Sequence, residues 1–263
     1  MKRIIFLSPH LDDAVLSCGA YISMLVKESI DVHVYTVFSA IPNSDSLSQL
    51  AKAIHLEGGL ERDAMLKRRE EDKVAMQFLG VNFTYVDLLD CIYRTDRAGQ
   101  TKYQTKQDIF AVNPNLEVDA DTLDLLGTYL CRVLKEVQPS QVYVPLAIGN
   151  HIDHILVRKA LERSIAKSVS DHPPEIIYYE DVPYVCSPDN RDLSYTLAQS
   201  FVPKLQSVTK EAWTTKLEAI AAYQSQVITM WDSPMAMRKQ ISDYSLSLQP
   251  GQFTERFWQP RSK

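Results

Sequence analysis

A five-residue run, Pro9-His10-Leu11-Asp12-Asp13, follows directly on the apolar stretch Arg3-Ile4-Ile5-Phe6-Leu7-Ser8. A nearly continuous apolar run of this length is the mark of a strand buried on both faces, as in parallel sheets covered by helices. One imidazole and two carboxylates therefore fall just past the C-terminal end of the first strand, which is where ligands bind in open α/β sheets. A second cluster, His151-Ile152-Asp153-His154, comes after another apolar run, Val142-Tyr143-Val144-Pro145.

The pattern between the clusters alternates. Residues 14–27 read as a helix, 32–38 as a β-branched and aromatic strand, and 39–58 as a polar loop. Residues 61–79 read as a charged helix with Met65, Val74, Phe78 and Leu79 as its core contacts, stopped by Gly80. A third strand covers 83–88, and 91–118 show no clear period, as lids and binding segments often do not. Asp119 is placed to cap a helix over 120–137. Strand 141–145, a helix from about 153 to 168, strand 176–179 and helices near 208–224 and 234–245 complete the chain. This alternation predicts an α/β fold of Rossmann-like, doubly wound type. A mostly parallel sheet would carry helices on both faces and a C-terminal helical extension. The expectation is a single domain over 1–263, with its core over about 1–180 and the extension over about 181–263.

At 263 residues and 45% hydrophobic composition, the chain can bury a full core. A net charge of −5 without a basic block disfavours a nucleic-acid partner. The four cysteines, Cys18, Cys91, Cys131 and Cys186, form no C-x-x-C pair and suit a reducing compartment. The short apolar run at the N-terminus is not a secretory signal, and no stretch approaches the ~18 apolar residues of a membrane span. A soluble, cytoplasmic protein is the expectation.

Catalytic zinc sites use three protein ligands and keep one position for water. A carboxylate nearby can take that water's proton, and an imidazolium can stabilise an oxyanion and protonate a leaving amine. His10, Asp12, Asp13, His151, Asp153 and His154 supply more than such a site needs. Spacing alone does not say which of them are ligands, and an Asp at a helix start is often only a cap. His33, His55 and His172 lack such company and receive no role. A nucleotide-binding Rossmann module is disfavoured, because the turn after the first strand has no glycines and its carboxylates would repel phosphate.

The two clusters, taken with three further segments, resemble the LmbE-like, or PIG-L, zinc-dependent de-N-acetylases. The segments are Arg68-x-x-Glu71-x-x-x-Ala75-x-x-x-Leu79-Gly80, Tyr179-Glu180-Asp181-Val182-Pro183-Tyr184 and Lys216-x-x-Ala219-x-x-x-Tyr223-x-Ser225-Gln226. They run in the family's order from residue 3 to about 226 and agree with the fold expected from periodicity. The resemblance implies His10, Asp13 and His154 as ligands of one Zn²⁺ per chain and Asp12 as general base. It implies His151 as oxyanion stabiliser or general acid, oriented by Asp153. Arg68 would reach the substrate's polar groups and Asp90 would bind sugar. Arg68 and Glu71 also have the i,i+3 spacing of a surface ion pair. Two positions depart from the family's pattern: Leu11 stands where Pro is usual, and Ala14 where an acid often follows the second Asp. Ala14 puts the substrate and the support of the site in question.

The function so implied is hydrolysis of the N-acetyl (N-acyl) group of an N-acetylglucosamine-type sugar or glycoside by zinc-bound hydroxide. Amidase action on a thiol–sugar conjugate would use the same site. A catalytically silent metal- or sugar-binding protein is the alternative from another class. The partner expected is a small N-acetylated sugar or glycoconjugate, without nucleic acid or a membrane span, in a chain able to form a homo-oligomer. Other divalent metals suit His/Asp ligation as well.

Overall fold

A computed structural model describes residues 2–43, 45, 47–167, 172–187 and 199–261. Its frame is a seven-stranded sheet in the order β3-β2-β1-β4-β5-β7-β6. The strands are β1 (Arg3–Ser8), β2 (Asp31–Thr36), β3 (Asn82–Tyr85), β4 (Gln141–Pro145), β5 (Glu175–Tyr179), β6 (Phe201–Ser207) and β7 (Thr254–Pro260). The first five are parallel, with Ile5 of β1 opposite His33 on one side and Val142 on the other. β7 then pairs antiparallel with β5, and β6 with β7.

The helices are α1 (Asp13–Lys27), α2 (Gln49–Glu57), α3 (Ala64–Leu79), the one-turn α4 (Lys106–Ile109), α5 (Ala120–Val137) and α6 (Ile152–Lys167). In the C-terminal part lie α7 (Lys210–Ala221), α8 (Gln224–Trp231) and α9 (Pro234–Leu248). The chain steps outward from β1 through β2 to β3, and in the opposite direction from β4 to β5. Right-handed crossovers then send α1 and α3 to one face and α6 to the other. The packing agrees: α1, α3 and α7 lie together, and α5 lies on α6. The switch of direction falls between β1 and β4. Both strands are buried along nearly their whole length, and both histidine clusters leave from their C-terminal ends.

Several expected elements come out differently. The segment 39–58 is not all loop, since it contains α2, capped by Ser48, which accepts the Ala51 N–H at 3.0 Å. Only Ala51 and His55 of α2 are buried, so no apolar stripe announced it. In α3, Val74 and Phe78 are exposed, and Met65, Ala75, Met76 and Leu79 are buried alongside a carboxylate, Asp72. Asp119 makes no side-chain cap to α5. The C-terminal extension is not purely helical, because β6 and β7 carry the sheet onward. β6 escapes notice because it is a largely exposed edge, and its Pro203 and Lys204 suit an edge. Among the described residues no helix is long and apolar enough to cross a membrane.

Candidate active site

The turn from β1 into α1 is built so that both aspartates stay free of helix capping. Ser8 Oγ accepts the Ala14 N–H at 3.0 Å and donates to the His10 carbonyl at 2.7 Å. Asp12 sits at the cap position without a capping bond. Asp13 Oδ2 turns back to accept the His10 N–H at 2.7 Å and lies 3.1 Å from His10 Nδ1. The second cluster leaves β4 through a contorted loop in which Ala147, Gly149 and Asn150 all have left-handed φ. Gly149, at φ +89, lies under Tyr184, whose Cγ would be 2.7 Å from an added Cβ. That close approach delivers His151 and His154 to the crevice beside His10.

The six residues expected at the site come together. His10, Asp12, Asp13, His151, Asp153 and His154 are all buried, and the His10 ring lies 4.8 Å from that of His151 and 5.3 Å from that of His154. His154 Nε2 is 3.3 Å from Asp13 Oδ2 yet is not aligned to hydrogen-bond, and no polar partner satisfies it. Its other nitrogen, Nδ1, meets Asp181 Oδ1 at 2.6 Å. Two ligands of a tetrahedral ion, each about 2.0–2.1 Å from it, stand about 3.3 Å apart. The spacings of Asp13 Oδ2 to His10 Nδ1 and to His154 Nε2 suit that arrangement. The outer carboxylate on His154 is the usual partner of a ligating imidazole. The residues present thus fit a divalent metal. Among the described residues three buried groups gather ligand atoms within 4.8 Å of one another: His10 with His151 and His154, Cys91 with His151 and Asp153, and His10 with Asp90 and Asp153.

Asp153 does not orient His151 through its carboxylate as expected. Its Oδ2 meets His10 Nε2 at 3.1 Å and accepts the Cys91 N–H at 3.0 Å, and its Oδ1 accepts from Arg94 at 2.5 Å. Its backbone N–H donates to His151 Nδ1 at 3.2 Å. That bond leaves the proton of neutral His151 on Nε2. Burial, with the neighbouring His10 and His154, drives the His151 pKa well below the usual imidazole range, which favours the neutral ring. Burial and then the Asp13 charge push Asp12 up to about 6, against the pull of Arg68.

Arg68 reaches the site with Nη2 3.7 Å from Asp12 Oδ2, and its buried Nε has no hydrogen-bond partner. It does not pair with Glu71, which instead accepts from the Ser225 N–H and Oγ at 3.0 and 2.6 Å. Asp90 caps a short turn through Oδ1 and brings Oδ2 to 3.6 Å from His10 Nε2. Asp181, Arg94, Tyr184 and Phe110 were not singled out as site residues. Phe110 follows α4 and sets its ring 5.0 Å from that of His151, edge to face. His33 and His55 serve structure, bonded to Thr84 at 2.8 Å and to the Tyr93 hydroxyl at 2.6 Å.

Comparison with known proteins gives a family and a shared fold. The profile of the PIG-L family, described as GlcNAc-PI de-N-acetylase, matches residues 5–178. The chain belongs to the PIG-L family. Within it, the 2'-N-acetylparomamine deacetylase of Niallia circulans is 29% identical over 197 residues, 70% of this chain and 68% of that protein. The zinc-inhibited form of teicoplanin deacetylase Orf2 matches with a TM-score of 0.86 at 27% identity, covering 100% of this chain and 99% of that one. A deacetylase–teicoplanin complex from the teicoplanin biosynthesis pathway matches at 0.80 and 26% identity, covering 100% of both chains. The PIG-L profile ends one residue short of the end of β5. The likeness to these deacetylase structures continues through the two antiparallel strands.

Proposed function

We propose that this chain is a zinc-dependent deacetylase, working as one domain, that hydrolyses the N-acetyl group of an amino sugar or its glycoside. The observation that carries the reading is the unsatisfied His154 Nε2 3.3 Å from Asp13 Oδ2, with His10 Nδ1 3.1 Å from the same oxygen. His10, Asp13 and His154 are the proposed ligands. A divalent ion held by these three residues would supply a water of lowered pKa and a Lewis acid for an amide carbonyl. Asp12 accepts the water's proton and hands it to the departing amine. Neutral His151 donates from Nε2 to the oxyanion that develops on the acetyl carbon. Arg68 and Asp90 take polar groups of the substrate on one side, and Phe110 and Tyr184 present ring surface to it on the other. Relatives that deacetylate N-acetylparomamine and act in teicoplanin biosynthesis support a glycoside acceptor.

A relative with a zinc-inhibited form supports a site that holds zinc. The test is to strip the protein with chelator and add Zn²⁺, Co²⁺ or Mn²⁺ through one equivalent and beyond. Acetate release is followed from N-acetylparomamine, N-acetylglucosamine and an N-acetylglucosaminyl glycopeptide. The expected result is chelator-sensitive acetate release that peaks near one metal per chain. Absence of tight metal binding would overturn the ligand set. Metal binding without acetate release from any of the three would overturn the deacetylase reading.

A further inference from the structure

The segment after β3 drops an arginine into the floor of the site that the proposed mechanism leaves unused. Arg94 is 5% exposed and bridges two carboxylates that are fully buried. Its Nη2 donates to Asp153 Oδ1 at 2.5 Å and to Asp119 Oδ2 at 3.2 Å, and its Nε lies 3.0 Å from Asp119 Oδ1. Nη1 reaches the Leu89 carbonyl at 3.3 Å. The guanidinium carbon lies over the rings of Phe38, at 5.1 Å, and Tyr103, at 5.6 Å. Asp119 has other partners: Lys102 Nζ at 3.3 Å and the Tyr103 hydroxyl. Among the described contacts Asp153 has no cation but Arg94 and the imidazole of His10 itself.

We infer that Arg94 is a positioning residue for the metal centre, acting through Asp153 on His10, with Asp119 as its anchor. The inference rests on the ligand set proposed above. The two oxygens of Asp153 have separate tasks. Oδ1 is held by guanidinium Nη2, which restrains the carboxylate and leaves Oδ2 facing His10 Nε2. A proton shared there sits on Nε2, so the Nδ1 lone pair is presented beside Asp13. Outer carboxylates of this kind fix the tautomer and orientation of a ligating imidazole, and losing them typically weakens metal binding 10–100-fold. A lysine cannot reproduce the effect. Its ammonium is a point charge and lacks the planar fork that spans two carboxylates. The anchor explains why Asp119 fails to cap α5. Its carboxylate is turned inward, so the start of α5 and the irregular stretch after β3 are tied to the same centre.

The measurement is metal affinity by competition with a chromophoric chelator, on wild type, Arg94→Lys, Arg94→Met and Asp119→Asn, with folding checked by near-UV circular dichroism. KM and kcat are read on the metal-saturated proteins. The expected result is roughly 10-fold weaker metal binding in Arg94→Lys and 10–100-fold in Arg94→Met. Asp119→Asn should weaken it less, because the fork still holds Asp153. KM at saturating metal should stay near wild type in Arg94→Lys. Should Arg94→Met not fold, Arg94→Lys and Asp119→Asn decide alone. Wild-type affinity in a folded Arg94→Lys would overturn the inference, as would equal losses in Arg94→Lys and Asp119→Asn. A wild type that binds no metal would overturn the ligand set itself, a separate failure seen before any variant is made.

Discussion

Asp12 shows what a single residue's surroundings do to its chemistry. It stands where a helix cap is expected, yet Ser8 closes the helix start and leaves its carboxylate to the site. Burial and then the Asp13 charge raise its pKa to about 6, against the pull of Arg68. Replacing it tests the role directly. Asp12→Asn should lower kcat by about 10²–10⁴-fold, the range for acid–base groups, with metal content unchanged in elemental analysis. Turnover near wild type would remove Asp12 from the mechanism. At this scale the clusters were legible because each is a short run directly past a buried strand. Their partners were not, because Asp181 and Arg94 reach the same crevice from β5 and from an aperiodic stretch after β3. Nothing local in sequence marks a carboxylate as the one that will meet His154 rather than solvent.

Among the elements, α3 is the instructive one. Its sequence reads as an amphipathic helix with Val74 and Phe78 inward, but both are exposed and the inward face carries Asp72. The reason is a polar seam: Tyr223 and Tyr85 donate to Asp72 at 2.6 and 3.0 Å, and Glu71 holds Ser225 at the start of α8. A face chosen by tertiary partners does not follow the 3.6-residue apolar count. The seam has a pH signature. Burial raises the Asp72 pKa from 3.8 to about 6, against the two tyrosine hydroxyls. The folded state therefore holds this proton more tightly than the unfolded chain. The stability it contributes is complete below about pH 4 and is lost as pH rises through about 6. Asp72→Asn cannot titrate. Wild-type stability should fall relative to the variant by up to about 1.4 kcal/mol per pH unit between about pH 4 and 6. The gap should be constant above that range. Urea unfolding of both proteins from pH 4.5 to 7.5 measures it, and parallel profiles would show that Asp72 titrates alike in both states.

Across the whole molecule, the question is what joins the C-terminal extension to the α/β core that precedes it. Strand–helix alternation made the first five strands legible. It could not announce β6 and β7, which form an antiparallel pair whose strands are separated by three helices. The join is polar as well as apolar. Glu180, just past β5, accepts from Trp258 at 2.8 Å and Arg256 at 2.6 Å of β7. Deeper in, Lys216 of α7 meets Glu255 of β7 at 2.7 Å, with side chains only 2% and 3% exposed. Glu255 also accepts the Ala20 and Tyr21 amides of α1 at 3.1 and 2.9 Å. α7 can come this close because Gly19 has no side chain: an added Cβ would lie 3.1 Å from Lys216 Cγ. The pair therefore locks a strand and a helix of the extension onto the first helix of the core. Breaking one side of a buried pair strands the other charge, at a cost of about 3–5 kcal/mol. Lys216→Met and Glu255→Gln should each destabilise by about that much. The double variant should cost less than the sum, with a coupling of about 1–3 kcal/mol. Urea unfolding of the four proteins at pH 7 gives the cycle. Additive losses would mean that the ion pair does not hold the extension, leaving apolar contacts such as those of Trp258 and Phe257, both buried, as the join.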